Sequence, residues 1–434
     1  MGTLNTNYNF TMKKSIITLS TLLLVLCLPF NISAQINRTL ETKVADILAQ
    51  FPTKDLKHSD NLMKEIIALN TEGILQFTDM LVPLGTGDDT NARYAIQSLA
   101  VYAGGMKSKI ESNVIEHSLL IALRKANNNE VKTFLIDRLV FCGSNKSINL
   151  LSEYLSNERL FKPVLSALTA IGTTEAAQVI LDEAEPVESE KNVALIDALG
   201  ILKFQSSVEF LETLAVSQSV NMRQYTLKSL AEIAAVSSKG LLITAAEKSG
   251  FKLDASKSIL ALIKYATRLK ENGKKELSSE IAKLILKNCK AEDQLHFRSA
   301  AIHLLREIEG TSFTKTLLKE AKNENEKYGA SVIAAASENL SSDEVNKWIK
   351  AYKKYPVSTK ALIIRMLSSR TEDIVFNKCI LQALEDDNEF VRITGIKAIS
   401  NQQKATGLPV LLQLLDKRLT HTEYEALNAT LLQV

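Results

Sequence analysis

The sequence predicts an all-α fold in which short helical hairpins repeat along one array, the right-handed α-α superhelix of the α-solenoid class. Three observations support this prediction. Proline and glycine are scarce, at 7 and 16 in 434 residues, so few positions interrupt helices. Apolar residues recur at helical spacing along nearly the whole chain after residue 37. One local pattern also recurs roughly every 33 residues, a period typical of repeat proteins.

The clearest copy of this pattern lies at residues 385–400, where four acids and an asparagine precede Val391 and Arg392. Small or apolar residues follow four, seven and eight positions after Val391, which places them on one face of a helix. Asp387 lies five residues before Arg392, where an aspartate can cap free backbone N–H groups. We therefore expect Asp387 to cap this helix.

The same register can be followed along the chain. The positions equivalent to Arg392 are Arg93, Lys132, Lys162, Asn192, Arg223, Lys257, Arg298, Tyr328 and Lys360. An aspartate or asparagine five residues upstream precedes six of the ten, namely Asp88, Asn127, Asn157, Asp293, Asn323 and Asp387. A second apolar helix is predicted between successive registers. Each unit is therefore a helix, a turn, a second helix and a turn, with lengthened elements before Lys132 and Arg298.

From residue 37 onward the chain resembles the HEAT-like repeat family in its shorter bacterial form, on the strength of the turn acid and the Val-Arg pair. The resemblance implies that the cation packs against the acidic turn of a neighbouring repeat, which forms a ladder along the stack. Tyr328 and Asn192 would interrupt that ladder. The tetratricopeptide repeat has a similar period, but its Trp, Gly-Tyr and Pro landmarks are missing. The ladder residues implied are Asp88, Arg93, Asp293, Arg298, Asp387 and Arg392.

The N-terminal segment at 1–34 has the features of an export signal. A basic pair follows Met12, an apolar run extends over 16–30, and small residues precede a cleavage point after Ala34. The position of Met12, directly before the basic pair, fits the true start of the translated chain. A membrane anchor needs about 20 apolar residues, and this run is shorter and contains Pro29. We expect an exported chain, periplasmic or extracellular, that does not span the membrane.

The array is predicted at 84–434, behind an N-terminal helical cap at 35–83. The leader, the loop at 83–90 and the Arg93-Tyr-Ala sequence resemble secreted bacterial proteins in which such an array precedes a jelly-roll domain. That domain belongs to a family associated with keto-disaccharide or glycoside hydrolysis. The chain ends at Val434 in an apolar helix without a polar cap. Because solenoids usually need a capping repeat, we expect the array to be truncated there.

Composition excludes several functions. A formal net charge of +3 gives no global field for nucleic acid. Cys142, Cys289 and Cys379 lie in different repeats, too far apart for a disulfide. The five histidines are dispersed, and no HExxH or GxSxG motif occurs. The loop at 85–90 precedes a helix but carries two aspartates, so we interpret it as a capped turn rather than an ion site. We expect no enzyme, metal or cofactor.

Two surfaces are candidates for partner binding. The first is a basic run at 252–290, with ten Lys or Arg and four Asp or Glu. Its candidate residues are Lys257, Lys264, Arg268 and Lys270. The second is an aromatic stripe of Trp348 and Tyr352, flanked by lysines, that would form a platform for peptide or sugar. A solvated helix face explains the first pattern equally, and a buried helix face explains the second.

The function predicted from these features is a secreted scaffold that presents a concave helical surface to a protein partner. The alternative is an accessory N-terminal module of a carbohydrate-active protein, with a glycan as its partner. A catalytic HEAT-like lyase would be a third function, but no residues in the sequence form a site for it.

Overall fold

The structure is a computed structural model, and every regular element that it describes is helical. The residues described are 38–106, 109–370, 372–401 and 404–433. The predicted signal peptide lies outside them. The chain divides into two compact units, 1–183 and 184–434, so the division falls inside the predicted array. No helix among the described residues is both long enough and apolar enough to cross a bilayer.

The first unit is built from helices joined by short turns. They are α1 (Leu40–Leu48), α2 (Leu56–Ala68), α3 (Asn70–Asp79), α4 (Thr90–Gly104), α5 (Lys109–Lys125), α6 (Asn129–Cys142), α7 (Asn145–Ser152), α8 (Phe161–Ile171) and α9 (Thr174–Asp182). Helices α4, α6 and α8 pack in succession and carry three register positions. The two-helix repeat predicted from the sequence therefore holds in this unit.

The second unit continues the same alternation. Its helices are α10 (Glu190–Ile201), α11 (Val208–Leu214), α12 (Val220–Ile233), α13 (Lys239–Lys248), α14 (Ser258–Glu271), α15 (Lys275–Asn288), α16 (Leu295–Glu309), α17 (Thr314–Glu320), α18 (Glu326–Ser337), α19 (Ser342–Ala351), α20 (Val357–Ser368), α21 (Asp373–Val375), α22 (Leu381–Ala383), α23 (Glu389–Ile399), α24 (Lys404–Leu414) and α25 (His421–Leu431). A π-helical segment, Phe376–Ile380, joins α21 to α22.

Every second helix of this unit belongs to one layer, here called the register layer. Helices α10, α12, α14, α16, α18, α20, α23 and α25 pack in that order, and α11, α13, α15 and α17 each pack on the register helix that follows. Packing within the layer is close, because a Cβ at Gly200 of α10 would lie 2.5 Å from Ser229 Oγ of α12. The predicted all-α solenoid of helical hairpins is confirmed.

Many of the helices begin with a side-chain cap, but the prediction that Asp387 caps α23 is wrong. Asn388, rather than Asp387, accepts a hydrogen bond from the backbone N–H of Phe390, at 3.0 Å. Asp387 is exposed, and its backbone carbonyl accepts a hydrogen bond from Arg392. The aspartate lies one residue too early for its carboxylate to be the cap of this helix.

The register prediction is also wrong at Lys257. This residue is the N-cap of α14, in the left-handed backbone region at φ 55°, whereas Arg223 and Arg298 lie one turn inside their helices. Asp254 caps α14 instead and accepts hydrogen bonds from the Ser258 backbone N–H at 2.7 Å and its hydroxyl at 3.0 Å. The longer turn before α14 therefore places Lys257 about one helical turn before the position that the register arginines occupy.

Candidate binding site

Arginines of the register close the turns that precede their own helices. Each donates from its guanidinium to backbone carbonyls of that turn, where the end of the preceding helix leaves acceptors without partners. The acceptors are Val82 for Arg93, Ser217 and Gln218 for Arg223, Leu286 and Cys289 for Arg298, and Asp386 and Asp387 for Arg392. The sequence predicted packing between repeats but not this contact within a turn.

The ladder predicted between repeats is present at Arg298. Its guanidinium donates to Glu320, at 2.8 and 2.7 Å, in the helix before the next register position. Tyr328 belongs to this rung rather than interrupting it, because its hydroxyl accepts from Arg298 at 2.9 Å and donates to Glu320 at 2.6 Å. Burial raises the pKa of Glu320, but these hydrogen bonds bring it below its ordinary value. Asp293 is exposed and takes no part in the rung.

Two further rungs lie beyond it. The Lys360 ammonium contacts Asp386 at 2.8 Å, and Arg392 donates to Glu423 at the start of α25. The acid predicted for this part of the ladder, Asp387, is not a partner in either rung. The pKa values of Asp386 and Glu423 are lowered, because the hydrogen bonds from these cations outweigh the effect of burial.

In the first unit, the acid paired with Arg93 is Asp89 rather than the predicted Asp88. Asp89 accepts from Arg93 Nε at 2.8 Å and from the Val82 N–H at 3.0 Å. The Asp88 carboxylate accepts from the Thr90 N–H at 3.1 Å and so caps α4. The loop before α4 is thus a capped turn, as its two aspartates indicated.

The predicted aromatic platform is contradicted by burial. Trp348 is 0% exposed and Tyr352 is 1% exposed, and both belong to the apolar core of the second unit. Their spacing reflects the inward face of α19 and the turn after it. Neither side chain is available to a peptide or a sugar.

Three of the four candidate cations of the basic run are ion-paired in space. Lys264 and Arg268 of α14 contact Glu232 of α12, at 3.0 and 2.7 Å, and Lys270 pairs with Glu307 of α16. Acids of the two neighbouring helices therefore offset part of the positive charge counted along α14. Partner binding by these residues stays a prediction, with a weaker electrostatic basis than the sequence suggested.

A different surface keeps uncompensated cations. A cleft of about 520 Å³ lies between the turn after α11, helix α13 and the turn before α14. The lining residues that matter below are Val216, Gln218, Arg223, Gly240, Leu241, Thr244, Lys248 and Asp254. This volume falls in the roughly 300–1,000 Å³ range of ligand pockets.

Arg223 differs from the other register arginines because no carboxylate among the described residues pairs with it. Besides the carbonyls of its turn, its guanidinium donates to the Ser256 hydroxyl, at 3.3 Å. Lys248 is exposed and likewise forms no ion pair within the described part of the chain. Asp254 is the acid of the lining, and its oxygens are occupied by the N-terminus of α14. The lining carries a net positive charge.

The sequence contains weak signals of this site. Gln218 stands five residues before Arg223, where six other repeats have an aspartate or asparagine. Gly240 lies within α13, where glycine weakens a helix. Neither signal reveals that Lys248 and Arg223 line the same cleft, because the path of the chain between them decides this.

The remaining reactive groups do not assemble a chemical site in the described residues. No three His, Cys, Asp or Glu side chains come together there as metal ligands would. Burial raises the pKa of the Cys142 and Cys379 thiols to about 12 and that of Cys289 to about 11. These thiols are therefore protonated at neutral pH and behave as small apolar groups.

Two solved structures that this chain is similar to agree with it only weakly. One is an engineered protein from the Northeast Structural Genomics Consortium, 14% identical over 83% of this chain and 98% of that chain, with a TM-score of 0.27. The other is from work on a conserved phosphorylation switch that controls the interaction between cadherin and beta-catenin. It is 12% identical over 90% of this chain and 94% of that chain, with a TM-score of 0.31. No protein-family model and no curated protein matches.

Proposed function

We propose that this protein is a non-enzymatic scaffold that binds another protein through the surface of its helical repeats. The observation that supports this most directly is the contrast in polar contacts within the second unit. Charged groups of the repeated turns pair with one another, whereas Arg223 and Lys248 in the cleft have no carboxylate partner among the described residues. A preformed surface of this kind lowers the ordering cost of binding.

The absence of catalysis in this proposal is supported by the roles of the polar clusters. Glu116 is a buried carboxylate beside two hydroxyls, an arrangement that could be mistaken for a nucleophile and its base. It accepts from the Ser144 backbone N–H at 2.7 Å and from the Ser147 hydroxyl at 2.6 Å. These contacts hold the N-terminus of α7, so the carboxylate acts as a cap supplied by a neighbouring helix.

The test is capture with the full chain immobilised and proteins of its source cell offered from soluble and envelope fractions. A captured protein is then purified, and we expect saturable binding with a Kd of about 10 μM or tighter. A glycan array probed with the same chain runs in parallel. Retention of glycans without any saturable protein partner would contradict the scaffold and favour the accessory carbohydrate module.

Export to the periplasm or the extracellular space, from a start at Met12, belongs to the same proposal. It is supported by the basic, apolar and small-residue order of the first 34 residues. N-terminal sequencing of the chain from its own cell should begin at Gln35. An uncleaved chain in the cytoplasm would remove export from the proposal.

A further inference from the structure

The cationic cleft has an electrostatic character that the rest of the register layer lacks. Elsewhere in the second unit, Arg298 and Arg392 each hold a carboxylate of the next repeat. Arg223 meets a neutral hydroxyl, Ser256 Oγ, at the corresponding contact. A guanidinium has five N–H donors, and the two carbonyls and one hydroxyl around Arg223 leave donors for an external acceptor.

The backbone around the cleft favours a carboxylate over a phosphate. Phosphate sites commonly draw on free N–H groups at a helix N-terminus. Here the Ser219 N–H donates to the Ser217 hydroxyl at 3.2 Å, and the Met222 N–H donates to the Ser219 hydroxyl at 3.1 Å. Asp254 occupies the N-terminus of α14. With these backbone groups occupied, Arg223 and Lys248 are the cationic donors of the lining, and Arg commonly pairs with the two oxygens of a carboxylate.

The remaining lining fits a peptide rather than a free anion. Val216 is 69% exposed at the edge of the cleft, and Leu241 lies beside it on α13. Gln218 and Thr244 make no side-chain hydrogen bond with any described residue. Both can therefore hydrogen-bond to the backbone amides of a bound peptide. Gly240 is exposed in the lining and has no atom within 4 Å of where its Cβ would stand, so a side chain added there has room.

We propose that this cleft binds an acidic segment of the partner protein, an extended peptide with Asp or Glu next to an apolar residue. The carboxylate contacts Arg223 and Lys248, and the apolar side chain packs on Val216. This proposal rests on the scaffold function and adds the chemistry of the partner. Two uncompensated cations, an apolar edge and unpaired polar groups in one cleft provide the complementarity.

The binding test uses the full chain and a panel of blocked pentapeptides with Glu at the centre. Flanking positions carry every combination of Ala, Leu and Phe, and a second panel has Gln in place of Glu. Fluorescence anisotropy measures each Kd, and inorganic phosphate is titrated separately. We expect Glu peptides with apolar flanks to bind on the order of tenfold tighter than their Gln counterparts, with the difference shrinking in about 0.5 M salt.

Two variants locate the binding, and neither changes the joint made by Arg223. Gly240→Phe adds a bulky side chain to the lining, and Lys248→Glu reverses one cation. The matched control is Lys252→Glu, an exposed lysine four residues on that does not line the cleft. Both cleft variants should weaken the Glu peptides on the order of tenfold, and Lys252→Glu should leave Kd within about twofold. Circular dichroism checks that each variant is folded.

The proposal is overturned if no Glu peptide binds below about 1 mM, if Glu and Gln panels bind equally, or if Lys248→Glu and Lys252→Glu behave alike. Binding of phosphate without Glu peptides would also overturn it. Failure of the cleft and failure of the scaffold are distinguishable. A captured partner that still binds Gly240→Phe keeps the scaffold and removes the cleft, whereas absence of any captured partner removes the scaffold.

Discussion

Two regions of the second unit use the same arginine joint with opposite charge balance. In residues 295–423, Arg298 and Arg392 hold their own turns and also a carboxylate of the next repeat. In residues 215–258, Arg223 holds its turn in the same way but has no carboxylate. The first arrangement stabilises the stack, and the second leaves charge for a ligand. Under the proposed function, losing one acid would convert a repeat from a structural to a binding role.

The largest expected effect comes from removing an arginine with its acid in place. Arg298→Met leaves Glu320, whose side chain is 10% exposed, without its cation and should lower the free energy of unfolding by about 3 kcal/mol. Arg223→Met loses hydrogen bonds alone and should cost about 1.5 kcal/mol. Urea unfolding followed by circular dichroism measures both, with Lys252→Met as a surface control. Equal losses of stability in Arg298→Met and Arg223→Met would contradict the difference drawn between the two regions.

Low pH should lower the stability of residues 295–423 more than that of residues 215–258. Glu344 contacts Arg306 at 2.6 Å in the core, with side chains 1% and 3% exposed. Although burial opposes ionisation, hydrogen bonds from Arg306, Thr314 and Ser341 lower the pKa of Glu344 to about 2 from its ordinary value of 4.5. Its contribution is therefore complete above pH 4.5 and is lost as the pH falls towards 2. The expected loss is about 3 kcal/mol.

Trp348, the single tryptophan of the chain, is buried four residues after Glu344 and reports this transition. Its emission should shift to longer wavelength between pH 4.5 and 2. Glu344→Gln should be less stable at pH 7 and lose part of the dependence on pH. The cleft variant Lys248→Gln should keep the wild-type acid transition. An unchanged transition in Glu344→Gln would assign it to other carboxylates.

The helix caps should contribute equally to the free energy of unfolding in the two regions. Ser219 accepts from the Met222 N–H at 3.1 Å, and Asn388 accepts from the Phe390 N–H at 3.0 Å. Ser219→Ala and Asn388→Ala should each cost about 1 kcal/mol in urea unfolding. Asp387→Ala serves as the control and should change stability by less than about 0.5 kcal/mol. A larger loss of stability in Asp387→Ala than in Asn388→Ala would show that the aspartate is the cap.

The smallest effect should come from giving Arg223 an acid. Gln218→Glu adds a carboxylate to the lining with little change of shape, and an exposed pair of this kind should stabilise the unit by about 0.5 kcal/mol. Thermal unfolding measures that gain. The same change should weaken binding of Glu peptides, because the new carboxylate competes for the cations. Tighter peptide binding in Gln218→Glu would contradict the role given to Arg223.

Much of the fold follows from the sequence because helical hairpins form from local signals. Apolar spacing and turn residues identify the alternating helices, and the register finds Arg93, Arg298 and Arg392 at joints. Fine positions fail where neighbouring residues compete for one role. Asn388 rather than Asp387 is the cap, and Asp89 rather than Asp88 pairs with Arg93. A shift of one residue preserves the pattern but changes the contact.

The sequence by itself determined the repeat, the fold class and the lack of a recognisable catalytic motif. Only the tertiary structure decided which charges are compensated and which aromatic residues are exposed. Lys264 and Arg268 look like free cations along the chain, yet both are ion-paired with Glu232 of the preceding repeat. Trp348 is buried by its neighbours. Charge and burial depend on residues about thirty positions away, which a local pattern does not contain.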